Sequence, residues 1–129
     1  MNRIQRQRTA GWRMPPNTKC ITRPGKWGNP FKVIKHEANY YRVSVNVKNH
    51  LDKWALTAIL IQSGPDGFKT KSEASAHAAM LFGRAMDIFY RNYPLSDFDG
   101  IEHIACFCKE GDPCHGDEII KRLKLKKQK

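Results

Sequence analysis

No uninterrupted apolar run in this chain approaches the roughly eighteen residues that a membrane-spanning helix needs. The amino end, MNRIQRQRTA, has no apolar stretch of the kind a secretory leader carries. These two absences lead us to expect a protein of the cytoplasm that makes no membrane contact. Acidic residues are missing from both ends: residues 1–26 hold seven Arg or Lys and no acid, and the last nine, KRLKLKKQK, hold six and no acid. Between them ten basic residues face twelve acidic ones, so the net charge of +11 resides at the termini. Also absent are a GxGxxG turn, a P-loop and an HExxH helix, the usual signatures of dinucleotide redox chemistry, ATP hydrolysis and zincin proteolysis. Cysteine is sparse, at four. A chain of 129 residues with 40% hydrophobic content and three tryptophans can bury a core without disulfide staples. The CxC spacing of Cys106 and Cys108 is poor bridge geometry, so reduced thiols are expected.

What is present reads as a single domain over residues 1–125, with a basic tail at 126–129. Residues 9–31, TAGWRMPPNTKCITRPGKWGNPF, spread four prolines and three glycines among aromatic and basic residues. That pattern excludes a long helix and predicts an ordered loop containing one short strand, TKCIT. YRVSVNV, residues 41–47, alternates as a strand with Tyr41, Val43, Val45 and Val47 on one face. WALTAILI, residues 54–61, is either its hairpin partner across a KNHLD turn, the favoured reading, or a short buried helix. Residues 71–93 read as a helix capped by Ser72 or Thr70, burying Ala74, Ala78, Leu81, Ala85, Ile88 and Phe89 and stopped by Pro94; His77 falls on its surface or boundary. After the DFDG turn, IEHIACFC (101–108) reads as a buried strand, and from about Cys114 a helix buries Ile119, Ile120 and Leu123. This order of elements predicts an α/β or α+β domain: a small mixed sheet with helices packed against it and a Rossmann-like strand–loop–helix junction near the C-terminus.

That junction, CFCKEGDPCHGD (106–117), gathers three cysteines and a histidine. Three readings stand. As a metal set, Cys106, Cys108, Cys114 and His115 offer donors that zinc accepts, the CxC pair projecting from one strand face. As a catalytic set, Cys114 is a nucleophile near a helix start or His115 a general acid or base, with Asp117 as the orienting carboxylate. As plain structure, Cys106 and Cys108 are small buried hydrophobes and the rest is a polar cap. RPGKWGNPF divides in the same way. Trp27 and Phe31 plug the core in one reading; in the other, Arg23 and Lys26 meet phosphate, Trp27 offers a stacking face and Asn29 hydrogen-bonds a base or ribose, with Trp12 and Arg13 nearby.

GWRMPPNTK, RPGKWGNPF and ACFCKEGDPCHGDEI together resemble an uncharacterised family of small phage and bacterial proteins. Its members share a GWRMP-like start, an RPxxWGNPF segment and a closing CxC followed by CHGD or CHAD. The resemblance covers roughly a third of the chain and implies a compact α/β domain of phage type without an established activity. Its signature falls on Gly11, Trp12, Arg13, Pro15, Arg23, Pro24, Trp27, Gly28, Asn29, Pro30, Phe31, Cys106, Cys108, Cys114, His115 and Asp117. The leading expectation is a nucleotide- or nucleic-acid-directed protein, with enzymatic action on a glycosidic or phosphate linkage as its sharpest form. The alternative is a non-catalytic module, either a zinc-stabilised nucleic-acid binder or a partner of a host protein. Basic terminal segments suit a polyanion in both cases.

Overall fold

The computed structural model describes residues 1–22, 26–37, 40–45, 50–62, 64, 67–109 and 111–127. Among the described residues, five strands and three α-helices make an α+β domain: β1 (Asn2–Gln5), β2 (Thr18–Cys20), β3 (Phe31–Glu37), β4 (Tyr40–Val45), α1 (His50–Gln62), α2 (Lys71–Ile88), β5 (His103–Cys106) and α3 (His115–Lys127), with a 3-10 turn at Leu95–Phe98 before β5. The strands form two separate sheets instead of the single mixed sheet expected. One is parallel, in the order β1-β5-β2, with Ile4 and Cys20 both opposite Ala105. The other is the antiparallel hairpin β3-β4, with Val33 opposite Val43.

Position in the parallel sheet explains composition. β5, flanked on both sides, buries Ile104, Ala105 and Cys106, the continuous apolar run that a central parallel strand requires. β1 (NRIQ) and β2 (TKC) are edges and read polar. Because all three run in parallel, their carboxyl ends meet on one side, where the connection from β5 to α3 begins. Gly116 allows that helix to start close against the sheet: a Cβ there would fall 2.9 Å from both Ile104 Cδ1 and Ile21 Cδ1.

α2 begins at Thr70, whose extended backbone and Oγ1, accepting from the Glu73 amide at 3.1 Å, form the cap that the sequence predicts. Its Ala74, Ala78, Leu81, Phe82 and Ala85 are buried. With Trp27, Phe31, Ile21, Ile104, Ile119 and Leu123 they make one core. α2 and α3 lie side by side, joined at the surface by Arg122. Its guanidinium donates from Nε and NH2 to the two Asp87 carboxylate oxygens at 2.8 Å each, from NH1 to Glu118 Oε2 at 2.6 Å, and from NH2 to the Gly83 carbonyl at 2.9 Å.

Several expectations need correction. Residues 54–61 belong to α1, and the hairpin partner of β4 is β3, a strand the sequence reading did not identify. α2 ends at Ile88 and turns occupy 89–93; Ile88 is 57% exposed. β5 stops at Cys106, leaving Phe107 exposed and Cys108 half-buried beyond it. Val47 lies outside the described residues. Among the described residues no helix is long and apolar enough to cross a membrane.

Candidate metal centre

The loop after β5 returns on itself so that one sulfur each of Cys106, Cys108 and Cys114 lies within 4.8 Å of the others. Strand geometry fixes Cys106, the turn presents Cys108, and Cys114 immediately precedes the first residue of α3. Cys106 and Cys114 are buried and their sulfurs are 3.3 Å apart; Cys108 forms the half-exposed edge of the trio. A tetrahedral zinc with bonds of about 2.3 Å holds its sulfurs about 3.8 Å apart, so the donor set fits a thiophilic ion with small adjustments. The Gly116 amide donates to Cys114 Sγ at 3.4 Å, placing one of the free donors of the helix amino end on a ligand sulfur.

The three thiols also interact electrically. Hydrogen bonds from Cys108 and then Cys114 hold the Cys106 thiol far below its ordinary range, with Arg3 assisting and burial opposing. Cys114 moves strongly the other way, because of its contacts with Cys106 and then Cys108 and its burial, and Cys108 is raised chiefly by its contact with Cys106. Arg3, which the sequence did not single out, lies alongside: NH1 points to Cys106 Sγ at 4.0 Å, Nε pairs with Asp117 Oδ1 at 3.2 Å, and NH2 donates to the Asp112 carbonyl at 3.1 Å.

His115 adjoins the trio through Cys114 and is not one of its mutually close donors. Its Nε2 sits 3.0 Å from the Ile21 carbonyl and 2.9 Å from the Trp27 carbonyl, and since both are acceptors, Nε2 carries the hydrogen. The buried ring, edge-on to Phe82, therefore ties the end of β2 and the WGNPF loop to the start of α3. Nδ1 faces Cys114 Sγ at 3.9 Å. Asp117 is exposed, in its pair with Arg3.

The amino-terminal loop follows its structural reading. Trp27 is 2% exposed, packed edge-on against Tyr93 and Phe98, with Nε1 donating to Asp97 Oδ2 at 3.0 Å; Lys26 meets the same oxygen at 3.0 Å. Asn29 Oδ1 accepts from the Phe31 amide and its Nδ2 donates to the Ala78 carbonyl. Phe31 is in the core. Trp12 is half-buried and Arg13 exposed on the turn near residue 11; Arg23 and Pro24 lie outside the described residues.

A second feature was missed. Arg6 and Arg8 place their guanidinium carbons 4.7 and 4.5 Å from the ring centre of Phe107, which is 37% exposed. Arg6 NH1 also donates to Thr22 Oγ1 at 2.8 Å and to Cys20 Sγ at 3.2 Å. Burial alone pushes the Cys20 thiol up, but Thr22 and Arg6 outweigh it and bring it below the ordinary value. Clustering of arginines at positions 3, 6 and 8 is visible in the sequence; their meeting with a residue a hundred positions away is not.

Residues 4–125 match the family described as Domain of unknown function (DUF4326), and the chain belongs to it. No curated protein and no solved structure matches the chain.

Proposed function

We propose that this DUF4326 member is a non-catalytic binding module, its strand–loop–helix junction locked by one zinc ion on Cys106, Cys108 and Cys114 and its basic face directed at nucleic acid. The observation that carries the reading is the convergence of three thiols from a strand end, a turn and a helix start within 4.8 Å. Zinc is favoured because thiolate donors select soft or borderline ions and three partly buried sulfurs at this mutual spacing suit a tetrahedral zinc. Support for the nucleic-acid side comes from the charge of +11 and from Arg6 and Arg8 over an exposed Phe107, adjacent in sequence to two of the thiols. A crevice outside the carboxyl ends of parallel strands, beside a helix amino end, is also where α/β sheets place ligands; in that sense the junction is Rossmann-like.

We prefer this reading to a nucleotide-directed enzyme because of what the proposed catalytic and stacking groups already do. His115 Nε2 is committed to two carbonyls, Asp117 to Arg3, and Trp27 has no open face for a base. Mass spectrometry of the native protein and then of the same sample denatured tests the zinc. One zinc per chain should leave on denaturation, with four free thiols remaining. Cys106→Ser, Cys108→Ser and Cys114→Ser should each lose the ion, and Cys20→Ser should keep it. A wild-type chain that stays metal-free with reduced thiols in excess zinc would overturn the reading.

A further inference from the structure

Three protein sulfurs leave a tetrahedral ion one ligand short, and a zinc with three protein ligands keeps its fourth position for something from outside. The approach to that position is visible in the fold. Cys106 and Cys114 are buried, whereas Cys108 is half-exposed and forms part of the wall of an open cleft of about 580 Å³. The rest of that wall is Asn2, Arg3, Ile4, Gln5 and Gln7, from the outer edge of β1 and the residues just after it. An edge strand leaves backbone donors and acceptors unpaired, and the amides of Asn2, Gln5 and Gln7 add more. Arg3 joins the two features, since its guanidinium reaches Cys106 while its side chain lines the cleft.

Resting on the zinc reading above, we infer that the fourth position of the ion opens into this cleft and takes an exogenous ligand, a water that a small thiol displaces, with no fourth side chain involved. Among the described residues the alternatives sit less well. His115 Nδ1 meets Cys114 Sγ at 3.9 Å but is not among the donors that all lie within 4.8 Å of one another, its ring being held from Nε2 by two carbonyls, and the Cys20 sulfur is engaged by Arg6 and Thr22. A small thiol suits the position on two counts. Thiolate is the donor that a sulfur-rich zinc accepts readily, and Arg3 offsets the negative charge that a fourth thiolate adds. The polar groups along β1 can hydrogen-bond the remainder of such a ligand.

X-ray absorption at the zinc edge, on wild-type protein loaded with one zinc in thiol-free buffer, counts the donors directly. Three sulfurs and one oxygen are expected, becoming four sulfurs when 2-mercaptoethanol is added. An imidazole scattering pattern would identify His115 as the fourth ligand, and four sulfurs before any thiol is added would identify a protein cysteine. Either overturns the inference while leaving the zinc reading intact. An oxygen that 2-mercaptoethanol does not displace overturns the ligand class and the inference with it. Failure to bind zinc at all overturns both. A cobalt(II)-loaded sample gives an independent readout: its visible bands should shift on titration with 2-mercaptoethanol, and bands that stay fixed would contradict an open position.

Discussion

At the scale of single residues, His115 has the largest consequence. One N–H serves two buried carbonyls from two different segments, so His115→Ala leaves both without a donor and opens space against Phe82. We expect a loss of about 2–4 kcal/mol in urea unfolding, with zinc still bound at one per chain once the variant is folded in the cold. Trp27 offers a finer test. Its indole N–H, and after it Lys26, hold the Asp97 carboxyl below the ordinary carboxylate range. A depressed native value means that this hydrogen bond stabilises the fold above the unfolded pKa and ceases to do so as pH falls through the native one. Trp27→Phe should move the Asp97 titration upward, toward its unfolded value, as read by carbon-detected NMR; an unmoved titration would show that the indole has no such role.

At the scale of elements, the α2–α3 seam depends on the planar fork of Arg122. Its two bonds to Asp87 pull that carboxyl down, and the same guanidinium reaches Glu118 and Gly83. Arg122→Ala should cost about 1–2 kcal/mol, allowing for the water that reaches Asp87, and Arg122→Lys should restore little because an ammonium cannot span both carboxylate oxygens. Legibility in the sequence followed the same physics. α2, β5 and α3 were readable because each has one buried face of regular period or a continuous apolar run. β1 was not, since NRIQ offers one apolar residue, and its identity as a strand depends on the hydrogen bonds it shares with β5. β3 carries its signal only in Phe31 and Val33, followed by Ile34, which is 39% exposed. α1 was misjudged because WALTAILI is apolar but for Thr57, and an apolar run lacks the periodicity that separates helix from strand. The cysteine trio was legible as a set; that His115 turns Nε2 to two carbonyls and only Nδ1 toward Cys114 was not, because adjacency in sequence does not say where a ring points.

For the molecule as a whole, the proposed ion ties the last strand to the last helix. Removing it with a chelator should lower the melting temperature by on the order of 10 °C. Acid should do the same, because the ligands must be deprotonated and falling pH returns their protons. Affinity for a single-stranded oligonucleotide, followed by fluorescence anisotropy across a salt series, should fall as salt rises. Arg6→Glu with Arg8→Glu should both weaken binding and flatten the slope, by about 0.7 for each phosphate no longer neutralised. Equal slopes would remove the arginine pair from the interface. The parallel sheet has one more implication, in time instead of space. Asn2 pairs with His103, so the central strand is made about a hundred residues after its first neighbour. At ribosomal rates that is a delay of about 5–20 s, during which β1 and β2 have no strand to join while the β3–β4 hairpin and α2 can already form. The three thiols come together only at the end of this sequence of events, so capture of the proposed ion would be the closing step of folding, after the hairpin is finished and the central strand has arrived.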